Sequence, residues 1–123
     1  MYTSPAPQSA RSAVTVPMLL QMKRNRERIA TLTAYDASFA RAMDHAGIDA
    51  VLVGDSLGMV IKGGANTVSV SIDDMVYHSR CVAQGLQSAL LIADMPFQSY
   101  ATPERALDAA TALLSEGMAS MVK

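Results

Sequence analysis

The sequence has a single cysteine, no charge excess of either sign and no long apolar run. One cysteine, Cys81, forms no internal disulfide and supplies no zinc framework. Ten Lys+Arg against eleven Asp+Glu leave a net charge of −1, too little for a basic face that neutralises nucleic-acid phosphates. No apolar stretch reaches the ~18 residues of a membrane-spanning helix, and no secretory signal pattern is present. Lys62-Gly63-Gly64 lacks the Walker spacing and no G-x-G-x-x-G follows an apolar run, so neither a nucleotide loop nor a Rossmann site is expected. A cytoplasmic protein that engages neither nucleic acid nor membrane is the resulting expectation.

What is present is a globular composition. Half of the 123 residues are apolar and 17% are charged, which suits one ordinary domain and not a disordered chain. Residues 1–13, MYTSPAPQSARSA, are small, polar and Pro/Ser-rich, and read as a flexible arm ahead of a single domain over 14–123. The first acidic residue is Glu27, after Arg11, Lys23, Arg24 and Arg26. This resembles an organelle presequence, but the arm holds only Arg11, so an untargeted N-terminus is expected. Residues 15–29 read as an amphipathic helix capped by Thr15, with Met18, Leu19, Met22 and Ile29 on one side. Its basic face would be solvated while it covers one end of the domain.

From Ile29 onward apolar runs alternate with helices. The runs are IATLTAY (29–35), DAVLVGD (49–55), SALLIADMP (88–96) and MASMVK (118–123). The expected helices run from Asp36 to Gly47, over 72–84 and over 103–116. Asp36 caps the first, Ser71 with Asp74 approximates a capping box for the second, and Thr102-Pro103 opens the third. Gly47, Gly85 and Gly117 follow the helices as left-handed closing residues. Strands that are apolar throughout, alternating with helices, indicate a parallel sheet and an α/β class.

In parallel α/β folds the active site forms on the loops after the strands' C-terminal ends. Those ends carry Tyr35-Asp36, Gly54-Asp55-Ser56, Asp94-Met95-Pro96 and Lys123. Asp55 and Asp94 occupy matching places on neighbouring strands about 4.8 Å apart, so both carboxylates would converge on one hard cation such as Mg²⁺. A loop aspartate most often caps a helix or closes a turn. Here the paired placement, and a connection of about sixteen residues after Asp55, favour function. The residues alone thus indicate a Mg²⁺-dependent α/β enzyme acting on an anionic substrate. His45 suits the negative end of a helix dipole. His78 reads as packing or as a contact behind the site rather than a base, Cys81 as a buried helix residue, and the nine methionines as core filling.

The segments TAYDASFA (33–40), LVGDSLGMV (52–60), SIDDMVYH (71–78), ADMPFQSYATPE (93–104) and GMASMVK (117–123) closely resemble the ketopantoate hydroxymethyltransferase family, in its order and spacing. Two departures are Ser69, where the family usually has proline, and the filling Gly64-Ala65-Asn66. The resemblance implies a (β/α)₈ TIM barrel, of which this chain supplies an N-terminal helix and about four βα units. It implies Mg²⁺ held by Asp55 and Asp94, and a keto acid, 3-methyl-2-oxobutanoate, bound by Asp55, Ser56, Asp94 and Lys123. The co-substrate would be the folate 5,10-methylenetetrahydrofolate and the product 2-dehydropantoate. The general base would be a glutamate beyond Lys123, so no catalytic base lies in these residues. Tyr35 would line the pocket or pack at the barrel rim, and the assembly would be a homodecamer. Two other readings remain: a Mg²⁺-dependent α-keto-acid enzyme of the phosphoenolpyruvate mutase or isocitrate lyase type, and an inactive truncated chain that serves only in assembly.

Overall fold

Short apolar runs separated by capped helices build parallel β/α units. The computed structural model describes residues 11–123. Its order is α1 (Val16–Arg24), β1 (Thr31–Thr33), α2 (Ala37–His45), β2 (Ala50–Val53), α3 (Leu57–Val60), α4 (Ile72–Ala83), β3 (Leu90–Ala93), α5 (Pro103–Ser115) and β4 (Met121–Val122). The four strands lie side by side in chain order, every neighbouring pair parallel. That topology is the sequential β/α arrangement of a (β/α)₈ barrel, traced over part of its circumference.

The caps act where their chemistry puts them. Asp36 accepts from Ser38 N–H and Phe39 N–H, Ser71 and Asp74 complete a reciprocal capping box, and Thr102 accepts from Arg105 N–H ahead of Pro103. Thr15 caps α1, but that helix ends at Arg24 instead of reaching residue 29. Arg26 takes φ +59°, which breaks the helical path. Of the first thirteen residues, 1–10 lie outside those described. Arg11 is held: its guanidinium donates to the Gly47 carbonyl and pairs with the buried Asp49.

Two apolar layers flank the sheet. Val51, Val53, Leu91 and Ala93 face the helices and pack in one core with Met75, Val82 and Leu113. On the opposite face Ala50 and Leu90 pack with Val14 and, half-buried, Leu19 of α1. So α1 covers the starts of the strands and leaves their C-terminal ends clear. Met18 and Ile29, expected on its packed side, are exposed. The long connection after Asp55 folds back on itself. It contains α3, and Leu57 and Val70 anchor its two ends in the core.

Two polar and steric details set the register. The Asp44 carboxylate, near the end of α2, accepts backbone N–H groups of Gln87, Ser88 and Ala89 at 3.1, 2.9 and 2.7 Å. Three donors that would otherwise lack partners are thereby satisfied, just where β3 begins. The second detail is Gly85. Of the three glycines expected to be left-handed, only Gly47 is, with φ +85°; after α5 the left-handed residue is Met118, not Gly117. Gly85 is required for space: a Cβ there would collide with the Ala37 carbonyl and lie 2.8 Å from Ala40 Cβ. Its absence lets the end of α4 lie against the start of α2.

Gly85→Ala should therefore destabilise the complete protein by about 1–3 kcal/mol or more, because the obstructing atoms are backbone. Gly47→Ala meets open space and should cost only about 1–2 kcal/mol of left-handed strain. Denaturant melts of the two variants would show the order, and a Gly85→Ala protein as stable as the original would refute the close-approach reading.

Candidate functional site at the strand ends

All four sequence-predicted site residues meet at the C-terminal ends of β2, β3 and β4. The register pairs Val53 with Ala93 and Ala93 with Val122. Continued by one step it sets Asp94 opposite Gly54, so Asp55 lies one residue further on, not level with Asp94 as the sequence suggested. The strand backbone bridges the offset: Asp55 N–H donates to Asp94 Oδ2 at 3.2 Å. Beside this bond, Gly54 makes room for the Ser56 hydroxyl. A Cβ there would sit 2.7 Å from Ser56 Oγ and 3.5 Å from Asp94 Oδ2.

Asp94 is buried, 8% exposed, and a carboxylate so placed needs charged or hydrogen-bonding partners. Lys123 Nζ supplies one at 2.7 Å from Oδ1, with its own side chain 66% exposed. The hydrogen bond to Asp94, and then the Asp94 charge, hold the Lys123 ammonium above its ordinary pKa of 10.5; partial burial opposes this, and Asp55 and Tyr100 add to it. Both carboxylates therefore act on one ammonium. A lysine raised in this way contributes stability that is complete below the ordinary lysine value and lost as pH climbs through the raised one.

Ser56 occupies the N-cap place of α3 but makes no side-chain cap bond. Its Oγ lies 2.8 Å from the Tyr35 hydroxyl, at the end of the first strand run. The Tyr35 carbonyl in turn accepts from His78 Nδ1 of α4 at 2.8 Å. Sequence reasoning placed Tyr35 near the pocket and His78 behind it, but found neither bond, because both join residues far apart in the chain. Cys81 is half-buried, and His45 lies in the last turn of α2, away from these contacts.

The donor set suits a hard cation. Among the described residues no cluster of three or more His, Cys, Asp or Glu side chains forms, so no all-protein cage is present. Magnesium is typically held by one or two carboxylates, with water and substrate oxygens completing the octahedron. Asp55 and Asp94, beside the Ser56 hydroxyl, fit that requirement. No helix among the described residues is long and apolar enough to cross a membrane.

Comparison with known proteins gives the family and the fold. The family profile described as ketopantoate hydroxymethyltransferase matches residues 13–123. Curated relatives include a 3-methyl-2-oxobutanoate hydroxymethyltransferase of Xylella fastidiosa (strain M12), 60% identical over 109 residues, covering 89% of this chain and 40% of the relative. Another, from Aeromonas salmonicida (strain A449), is 54% identical over 112 residues, covering 91% of this chain and 42% of the relative. The chain thus spans about two fifths of the length of these relatives. Similar solved structures include oxaloacetate acetylhydrolase with oxalate (TM-score 0.64, 19% identity, 84% of this chain and 36% of that one). A 2,3-dimethylmalate lyase of the PEP mutase/isocitrate lyase superfamily has TM-score 0.63 at 20% identity, covering 86% of this chain and 38% of that one. At such identities these two report the shared fold.

Asp94→Asn, made in the complete protein, should bring the Lys123 pKa back toward 10.5, since the carboxylate charge and the charge-assisted hydrogen bond that raise it are removed. Acetylation of Lys123 at about pH 9.5, followed by peptide mass spectrometry, should speed up in proportion to the restored neutral fraction. An unchanged labelling rate would show that the ion pair does not persist in solution.

Proposed function

We propose that this chain, which belongs to the ketopantoate hydroxymethyltransferase family, supplies the keto-acid and metal half of a barrel that hydroxymethylates 3-methyl-2-oxobutanoate. The observation that carries the reading is the convergence of Asp55, Ser56, Asp94 and Lys123 at the strand ends, in a chain whose relatives bear that activity in their names. The one-carbon donor on this reading is 5,10-methylenetetrahydrofolate, and the products are 2-dehydropantoate and tetrahydrofolate, with one water consumed.

Each side chain has a task that its surroundings suit. Asp55 and Asp94 would hold Mg²⁺, with Asp94 oriented by the Asp55 N–H and by Lys123. The ion, when bound, supplies Lewis acidity to the ketone oxygen, which acidifies the neighbouring C–H. Lys123 is cationic near neutral pH, and its partners Asp94 and Asp55 favour that charge further, so it can meet the substrate carboxylate with a full charge. Ser56 adds a hydroxyl donor beside it. The family resemblance implies that the proton-accepting base is a glutamate outside these 123 residues, and we adopt that assignment. A homodecamer and a cytoplasmic location belong to the same proposal. The solved-structure likeness to the PEP mutase/isocitrate lyase superfamily supports a common barrel, and the family match favours the transferase over that chemistry.

In the complete protein, Asp94→Ala should lower Mg²⁺-dependent turnover by on the order of 100-fold or more while the circular dichroism spectrum is kept, since several kcal/mol of charge stabilisation depend on the ion. Assay of the natural protein with the keto acid and methylenetetrahydrofolate, alongside its intact mass, gives the reference. Near-normal turnover in the variant would remove Asp94 from the metal site. Absence of the reaction from the natural protein would overturn the assignment altogether.

A further inference from the structure

Tyr35 and His78 lie behind the proposed substrate residues, and the hydrogen bond that joins them has a defined direction. A carbonyl oxygen only accepts, so His78 Nδ1, 2.8 Å from the Tyr35 carbonyl, carries the hydrogen, and the neutral ring is the Nδ1–H tautomer. The ring is further set by an edge-on contact with Tyr77, centroids 5.3 Å apart. This fixes the Tyr35 backbone against α4 at the point where the chain leaves β1.

Ser56 is the other end of the chain of bonds. A serine in the N-cap place ordinarily turns its oxygen to the helix N–H groups, but Ser56 does not; its oxygen faces the Tyr35 hydroxyl at 2.8 Å instead. A serine hydroxyl has one hydrogen, and a carboxylate only accepts. A Ser56 that donates to an anion must therefore accept from Tyr35, and the phenol is the more acidic of the two hydroxyls.

We infer that Tyr35 is a positioning residue for carboxylate binding: its O–H donates to Ser56 Oγ and aims the Ser56 hydrogen at the carboxylate of the substrate, while His78 holds Tyr35 in place. The identity of that substrate rests on the proposed function. Tyr35 itself touches no reacting atom on this reading. Its effect is on the strength of substrate binding and not on the chemical step.

Steady-state kinetics of the complete protein with 3-methyl-2-oxobutanoate test this as a double-mutant cycle. Tyr35→Phe keeps the ring and should raise KM about three- to tenfold with kcat held within about twofold, the loss expected of one hydrogen bond between neutral groups. Ser56→Ala should raise KM at least as much, and the double variant no further than Ser56→Ala alone. His78→Ala should raise KM, and His78→Asn, which retains an N–H near the same place, should recover most of it. Multiplying effects of the two changes in the double variant, or an unchanged KM in Tyr35→Phe, would overturn the positioning role and leave the transferase reading standing. A natural protein that does not consume the keto acid would overturn that reading first, and this role with it.

Discussion

Everything at the strand ends depends on how the buried Asp94 carboxylate is satisfied. It sits at the end of β3, takes the Asp55 N–H from the β2 side on one oxygen and the Lys123 ammonium from the β4 side on the other. A carboxylate this buried is tolerable only with such partners. The parallel sheet brings those partners to the same edge, because in parallel strands all C-terminal ends lie on one side. One side chain thereby ties the ends of three strands together and sets the spacing of the groups around it. The offset of Asp55 against Asp94 follows from the register, which sets Gly54 opposite Asp94, and the missing Gly54 side chain leaves space for Ser56 Oγ.

Distant residues fix where Asp94 falls. The Asp44 carboxylate gathers the N–H groups of Gln87, Ser88 and Ala89, and thus determines where β3 starts against β2. On the same turn, Gly85 allows α4 to approach α2 closely enough for Asp44 to reach. Ahead of β2, Asp49 is buried and accepts the Ala30 N–H while pairing with Arg11. Burial by itself would raise the Asp49 pKa, but the Ala30 hydrogen bond and Arg11 outweigh it and hold the carboxyl below its ordinary value. Its stabilising contribution is therefore present above the ordinary aspartate range and lost as pH falls through the lowered value. Structural carboxylates at the bottom of the strands keep the register on which the placement of Asp55 and Asp94 at the top relies.

How much of this was legible in the sequence follows from the range of each interaction. Caps are local, and Asp36, Ser71 with Asp74, and Thr102-Pro103 act as read. The alternation of apolar runs with helices is also local, and it gave the parallel sheet and the strand ends that hold Asp55, Ser56, Asp94 and Lys123. The strand lengths were overestimated at the edge, where β1 keeps only Thr31–Thr33 and all three residues are exposed. An apolar run becomes strand only where a neighbour pairs with it. The Gly85 contact, the Asp44 clamp, the one-residue offset of Asp55 and the Tyr35–Ser56 bond all join residues distant in sequence. No spacing rule within one segment encodes them. Gly85 shows the difficulty well: a glycine after a helix reads as a left-handed terminator, yet here its role is to be small.

The charge balance of the site links the metal to the substrate. Asp55 and Asp94 against Lys123 leave one formal negative charge at the strand ends. A keto acid brings another negative charge, so the cluster by itself opposes the substrate that the proposed function assigns to it. A divalent cation reverses that sign and leaves the site attractive to a monoanion, with Lys123 and Ser56 on hand for the carboxylate. On this account Asp94 cannot be exchanged for a neutral residue without consequences on two fronts: the cation loses a ligand, and Lys123 loses the partner that orients it. On the proposed function, the acidic pair would thus make anion binding conditional on the metal, and the keto acid would be held where its carbonyl can be polarised.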